Sequence, residues 1–201
     1  MAERLWILGG GGHAKVVIST ARAAGFVDLA VADDAPDRLG TELLGVRVEA
    51  TLQETLLRDV SAVLAVGDNR ARHDLASRAM CRFATIVHPS CVRDPSVGIG
   101  AGSVVFASTV LQPDTQLGPH AIVNTGASID HDCVLGIAVH VAPGARLAGN
   151  VTLGAGVFVG IGAVIIPGRQ VGAWTRIGAG AAVVHDLPPG VTAVGVPARS
   201  R

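Results

Sequence analysis

Tyrosine is absent from this 201-residue chain, and four Phe and two Trp bring the aromatic share to only 3%. Charge is scarce too, at 16% of residues, and 16 Lys and Arg are balanced by 16 Asp and Glu. Without a basic excess or an aromatic cluster the chain has neither the electrostatic footprint nor the stacking surface that nucleic-acid binding needs. No apolar run is long enough to span a bilayer, and residues 1–12 turn to glycine after four apolar positions instead of forming a signal-peptide core. A cytosolic protein is expected. The three cysteines, Cys81, Cys91 and Cys133, are odd in number and lack Cys-x-x-Cys spacing, which argues against a disulfide framework or a zinc knuckle and for reduced thiols.

What the chain does hold is small aliphatic surface: 49% of residues are hydrophobic and the mean hydropathy is +0.48. So much apolar surface with so little charge has to find cover, which favours an oligomer. Glycine is distributed unevenly, 8 in residues 1–96 and 18 in residues 97–201, and divides the chain into two expected domains, 1–90 and 91–201. The first alternates strand and helix patterns. Strands are expected at 5–8, 29–32, 61–66 and near 83–87, a glycine turn at 9–12, and helices at 13–24, 52–58 and 70–80. That order gives a Rossmann-like α/β domain with a small parallel sheet.

The second half is periodic. Stepping by six from Ile99 to Val183, all fifteen positions are Ile, Leu or Val. Those types fill 57 of 201 positions, so chance alone gives such a run a probability on the order of 10^-8. Two residues before each of them stands Ala, Ser, Thr or Cys in ten of fifteen cases. A six-residue period suits a two-residue strand plus a tight corner, and three such units close a triangular coil of 18 residues: the left-handed parallel β-helix built on hexapeptide repeats. Five coils are expected over residues 97–186. Residues 97–184 carry six charges (Asp114, Asp130, Asp132, Arg146, Arg169 and Arg176), too few to solvate three outer faces, so parallel prisms are expected to pack as a homotrimer.

Two segments carry polar chemistry. LGGGGHA, residues 8–14, sets four glycines between a strand and a helix, where backbone N–H groups can approach a phosphate without obstruction. Asp33, Asp34 and Gly67 follow later strands at the same sheet edge, where a carboxylate can bind a ribose or base. As plain structure, the same segment is a glycine-rich connector. The second is His131, flanked by Asp130 and Asp132 in an otherwise nearly uncharged prism. An imidazole fixed by a carboxylate suits a general base near neutral pH, and Asp132 is the expected partner. As plain structure, Asp-His-Asp is a polar corner. His140 follows His131 by half a coil and is expected on another side, converging with it only across a subunit interface. His120, His131 and His140 are assigned to three faces, so no metal site is expected within one chain, and surface roles are expected for His73, His120 and His185. Cys133 occupies a small-residue core position.

The motifs LGGGGHAKVV, VADD, AVGDNR, IVHPS, IVNTGASIDHDC, HVAPGARLAGNV and GVPA together span almost the whole chain. In them the sequence resembles the nucleotide-sugar N-acetyltransferases of bacterial surface glycan synthesis, relatives of the sialic acid O-acetyltransferases. GDNR, NTG and DHDC are most similar to the GDP-perosamine branch, and the UDP-linked 4-amino-sugar branch shares nearly every motif. The resemblance implies that Gly11, Gly12, His13, Asp33, Asp34, Gly67 and Arg70 face the nucleotide sugar and that Asn124 lies near the acceptor. It implies His131 as base, Asp132 as its partner, and His140, Gly149 and Ile161 lining a channel for acetyl-CoA between subunits, with no metal. An O-acetyltransferase of sialic-acid-like sugars and a non-enzymatic nucleotide-binding scaffold stand as alternatives.

Overall fold

The computed structural model describes residues 4–201. The readings made above on residues 1–3 lie outside them. β1 (Leu5–Leu8) is the buried centre of a six-stranded sheet and leads through the glycine turn into α1 (Gly12–Ala23). α1 is helical because Ala14, Val17, Ile18 and Ala21 repeat at three- and four-residue spacing and bury one stripe. β2 (Leu29–Ala32) pairs parallel on one side of β1, and β5 (Ser61–Leu64) on the other. The crevice at the carboxyl end of β1 is therefore the switch point of the sheet, where α/β folds bind ligands.

A hairpin absent from the sequence reading, β3 (Glu42–Leu43) and β4 (Val46–Ala50), extends the edge beyond β2. Its two-residue turn uses Leu44 and Gly45, both at positive φ (51° and 70°), the geometry of tight hairpin turns. α2 (Leu52–Leu56) is capped by Thr51, and α3 (Asn69–Ser77) by Asp68, whose Oδ1 accepts from the Ala71 N–H at 2.9 Å. The strand expected near 83–87 is two strands. β6 (Arg82–Phe83) closes the α/β sheet beside β5, while Ile86–Val87 already pairs with Val104–Val105 as the first rung of the prism.

From there the chain winds as a left-handed parallel β-helix of three parallel sheets. All fifteen hexad positions end a two-residue strand, and every one from Val105 to Val183 is buried, while Ile99 packs partly buried against them. The prism is longer than the five coils expected. Ile86–Val87 and Val92–Arg93 add two-thirds of a coil below, and Leu187 and Thr192–Val194 add part of one above. Arg93 hid the lower coil by placing a cation at a hexad position. Above Val183 the last coil shortens: Leu187 pairs with Val171 and Ala193 with Ile177, 16 residues apart instead of 18.

The two halves share one core. Ile86, Val104, Phe106 and Ile122, on the outer side of one prism sheet, pack with Leu5, Ile7, Val17, Ile18 and Val63 of the α/β half. This places the carboxyl edge of β1 and β5 against the prism sheet that carries His140. Among the described residues no helix is long and apolar enough to cross a membrane.

Candidate active site

His131 and Asp132 occupy the corner that follows the strand Ser128–Ile129. Asp132 takes positive φ (59°) in the tight bend, and its Oδ2 lies 2.7 Å from His131 Nδ1. Asp130 Oδ1 accepts from the His131 backbone N–H at 2.9 Å, fixing the corner from the other side. With the carboxylate on Nδ1, the ring proton sits there and Nε2 presents its lone pair outward. The hydrogen bond to Asp132 comes first among the causes that raise the imidazole above its ordinary value of 6.5, with Asp130 adding to it. One coil further on, Gly149 lies directly under the ring: a Cβ there would stand 2.5 Å from Cε1 and Nε2. The site thus has an exposed, oriented base over a floor that only glycine leaves open. Cys133 points the other way, fully buried, with Sγ donating to the Ala148 carbonyl and burial pushing the thiol's pKa up.

A second polar cluster lies where the α/β half meets the prism. His140 is buried, its Nε2 is 3.2 Å from Asn124 Nδ2, and Asn124 Oδ1 accepts from the Thr125 N–H at 2.8 Å. The amide nitrogen therefore donates to Nε2, and the His140 proton belongs on Nδ1, on the buried side of the ring. His13, at the start of α1, stands 6.3 Å from His140 and 5.5 Å from Phe106, ring centre to ring centre. Burial first, and the Arg72 cation second, push His13 down to about 4 and His140 to about 3. Both rings are neutral at physiological pH.

His120 corrects the sequence reading. It is 7% exposed, packs edge-on against Phe83 and is pushed down to about 4 by burial and by Arg72. It shares its side of the prism with His140, because the corner holding His120 leads into the same sheet, so the three histidines do not occupy three faces. His131 and His140 do lie on different sides. Among the described residues, no group of three or more His, Cys, Asp or Glu is arranged to hold a metal.

At the glycine turn, Gly11 and Gly12 have open space where a side chain would stand. With Gly10, Lys15, Arg38 and the β3–β4 hairpin they line a cleft of about 270 Å³. Asp33 is turned inward, accepting from the Gly10 N–H (2.6 Å) and the Ala35 N–H (3.0 Å) beside Arg38, which also donates to the Gly10 carbonyl. Asp34 is exposed and accepts from Gln53. Gly67 sits in the loop after β5, next to His140. Arg70 lies away from the glycine turn, its guanidinium 4.5 Å above the Trp174 ring. Ile161 is 60% exposed at a prism corner. Sequence reasoning passed over Arg72, Asn69 and Trp174. Their signal is the run of 18-residue steps from His120 through Ala138 and Gly156 to Trp174, a column outside the hexad phase.

An α/β domain with a glycine-turn cleft, set against a left-handed β-helix bearing an oriented His-Asp pair, defines a hexapeptide-repeat acyltransferase. Comparison narrows the class. Residues 4–79 match the PglD N-terminal domain family. The PerB structure from Caulobacter crescentus, in complex with CoA and GDP-perosamine, is 41% identical over all of this chain and 98% of that one, with a TM-score of 0.87. The acetyltransferase domain of PglB from Neisseria gonorrhoeae, in complex with acetyl coenzyme A, is 37% identical over 99% of each chain, with a TM-score of 0.93. UDP-N-acetylbacillosamine N-acetyltransferase of Bacillus subtilis is 40% identical over 108 residues, half of this chain and half of that protein. The chain belongs to the nucleotide-sugar N-acetyltransferase family.

Proposed function

We propose that the protein moves the acetyl group of acetyl-CoA to the 4-amino group of a nucleotide-linked amino-deoxy sugar, GDP-perosamine or a UDP-linked relative, in surface glycan synthesis. The observation that carries this is the His131–Asp132 pair over Gly149, an oriented base in a nearly uncharged prism. The amine nitrogen attacks the thioester carbon, His131 Nε2 takes the proton the nitrogen loses, and as the C–S bond breaks the imidazolium returns that proton to the sulfur, so that CoA leaves as its thiol. Asp132 holds the ring in the tautomer with Nε2 free and stabilises the imidazolium. A backbone N–H beside the thioester stabilises the oxyanion.

Residues 1–90 hold the nucleotide sugar, through Gly11, Gly12, His13, Asp33, Asp34 and Gly67, with Asn124 beside the acceptor; Arg70, stacked on Trp174, falls outside this set. Residues 91–201 hold acetyl-CoA along His140, Gly149 and Ile161. The active unit is a homotrimer with its sites between subunits, supported by the exposed apolar Val134, Ile161, Val164 and Ile166 on the prism. It works in the cytoplasm, where acetyl-CoA is at hand. Incubation with acetyl-CoA and separate GDP-linked amino sugar, UDP-linked amino sugar and sialic acid, following thiol release, tests the reading. Turnover only with a nucleotide amino sugar is expected. Turnover only with sialic acid would make the protein an O-acetyltransferase, and turnover with none a non-enzymatic binder.

A further inference from the structure

Helix α3 grips one edge of the prism. His120, Ala138, Gly156 and Trp174 are spaced one coil apart, all at positive φ (57°, 56°, 66° and 62°), and stack as a single corner column. Arg72 Nε donates to the His120 carbonyl at 2.9 Å and Nη2 to the Ala138 carbonyl at 2.8 Å. Asn69 Nδ2 donates to the Gly156 and Val157 carbonyls at 3.0 and 3.2 Å. Arg70 covers the Trp174 ring, which His73 meets edge-on. A short stretch of one helix thus touches four successive coils.

Arg72 also reaches back into its own half. Nη1 donates to the Val66 and Gly67 carbonyls at 2.9 and 3.3 Å, and Nη2 to Asn69 Oδ1 at 2.9 Å. All five guanidinium N–H donors are therefore matched, every partner is neutral, and the residue is 1% exposed. A buried cation without an ion pair is an expensive way to gain stability alone, and apolar packing would serve as well. What a planar fork adds is a fixed direction and distance between the groups it bridges. Here those groups are the loop of Gly67, at the carboxyl edge of β5, and the coil that enters His140 two residues after Ala138.

We infer that Arg72 is a positioning residue for the transfer proposed above: its guanidinium fixes the loop of Val66 and Gly67, on the nucleotide-sugar side, against the coil of residues 138–140, on the acetyl-CoA side, and so sets the separation of donor and acceptor. The inference rests on that functional reading. The same charge is second only to burial among the causes that keep His13 and His140 unprotonated, which leaves His140 Nε2 free to accept from Asn124.

The test uses Arg72→Lys in the full chain, which keeps the charge but offers three donors from one point, together with Asn69→Ala, which removes one bridge and leaves the guanidinium. Both are assayed well below their own Tm, and hydrogen exchange is followed over residues 66–68 and 138–140. For Arg72→Lys, kcat is expected to fall about 10- to 100-fold, the scale of a small misplacement of reacting groups, with both KM values within about 3-fold. Residues 66–68 are expected to lose protection while the inner rungs keep theirs. Asn69→Ala is expected to lose kcat several-fold. A folded Arg72→Lys with kcat within about 2-fold of the parent would reduce Arg72 to a fold-stabilising residue. If Arg72→Lys does not fold, unchanged kcat in Asn69→Ala overturns the inference. A parent protein that acetylates no acceptor contradicts the functional reading instead. The positioning role is then judged from exchange alone, where equal protection of residues 66–68 in variant and parent overturns it.

Discussion

At the scale of single residues, scarcity of charge made the proposed catalytic pair legible. Asp130, His131 and Asp132 are three polar residues together in a prism with almost none, and the structure joins His131 to Asp132 at 2.7 Å. Because Asp132 raises the imidazole's basicity, Asp132→Asn is expected to lower it. The base stays neutral to lower pH, so the acidic limb of the kcat/KM profile moves to lower pH while the plateau falls. A pH-rate series on variant and parent checks this; an unmoved limb would separate Asp132 from the titration. Arg72 was not legible, since arginine within RARH reads as a solvated helix face until the fold lays that face on the prism. Nor was the burial of His120, whose corner is covered by Phe83 and by Arg72, which donates to its carbonyl.

These buried histidines also have a stability consequence. His13, His120 and His140 are held near 4, 4 and 3, below the ordinary 6.5, so below pH 6.5 the unfolded chain binds protons that the folded chain refuses. Stability is therefore complete above about pH 6.5 and falls as pH drops toward 4, by up to about 1.4 kcal/mol per pH unit for each histidine. Urea unfolding at pH 7.5 and pH 5 is expected to show the midpoint falling, and equal midpoints would contradict the burial of these rings.

At the scale of elements, the hexads were legible because a fixed period survives any single substitution, whereas the prism's ends were not. Stepping on from Val183 points to Pro189 and Gly195, but the shortened last coil puts Leu187 and Ala193 inside instead. The β3–β4 hairpin carried a visible signal in the alternation of buried Val46, Val48 and Ala50 with exposed Arg47 and Glu49. Its turn residues, Leu44 and Gly45, do not form a strong turn dipeptide, and the sequence reading passed over it. The coil-on-coil stacking that brings Gly149 beneath His131 also yields a test. In Gly149→Ala the new methyl would meet the ring at 2.5 Å and displace it, while the exposed ring has room to swing away. Expected are a kcat loss of about 10-fold or more and a Tm close to the parent's, as for a misplaced reacting group. Unchanged kcat would mean the ring works from another position.

At the scale of the whole molecule, the apolar and charge-poor composition points to an assembly of chains. Light scattering is expected to give about three times the 20.3 kDa chain mass. A stable, active monomer would contradict sites shared between subunits. The succession of an α/β region and a β-helix was legible in the glycine distribution and the change of period, although the prism's pairing already starts at Ile86. The shared core of Ile7, Val63, Val104 and Ile122 was not, because it depends on which prism sheet faces the α/β half. The role of His131 as the base of acetyl transfer is tested most directly by steady-state kinetics of His131→Ala, verified as folded and in the parent's oligomeric state, with acetyl-CoA and the best nucleotide amino sugar. A kcat lower by roughly 10^2 to 10^4 is expected, with both KM values little changed. Parental kcat in that folded variant would contradict this role and return Asp130, His131 and Asp132 to a polar corner of the prism.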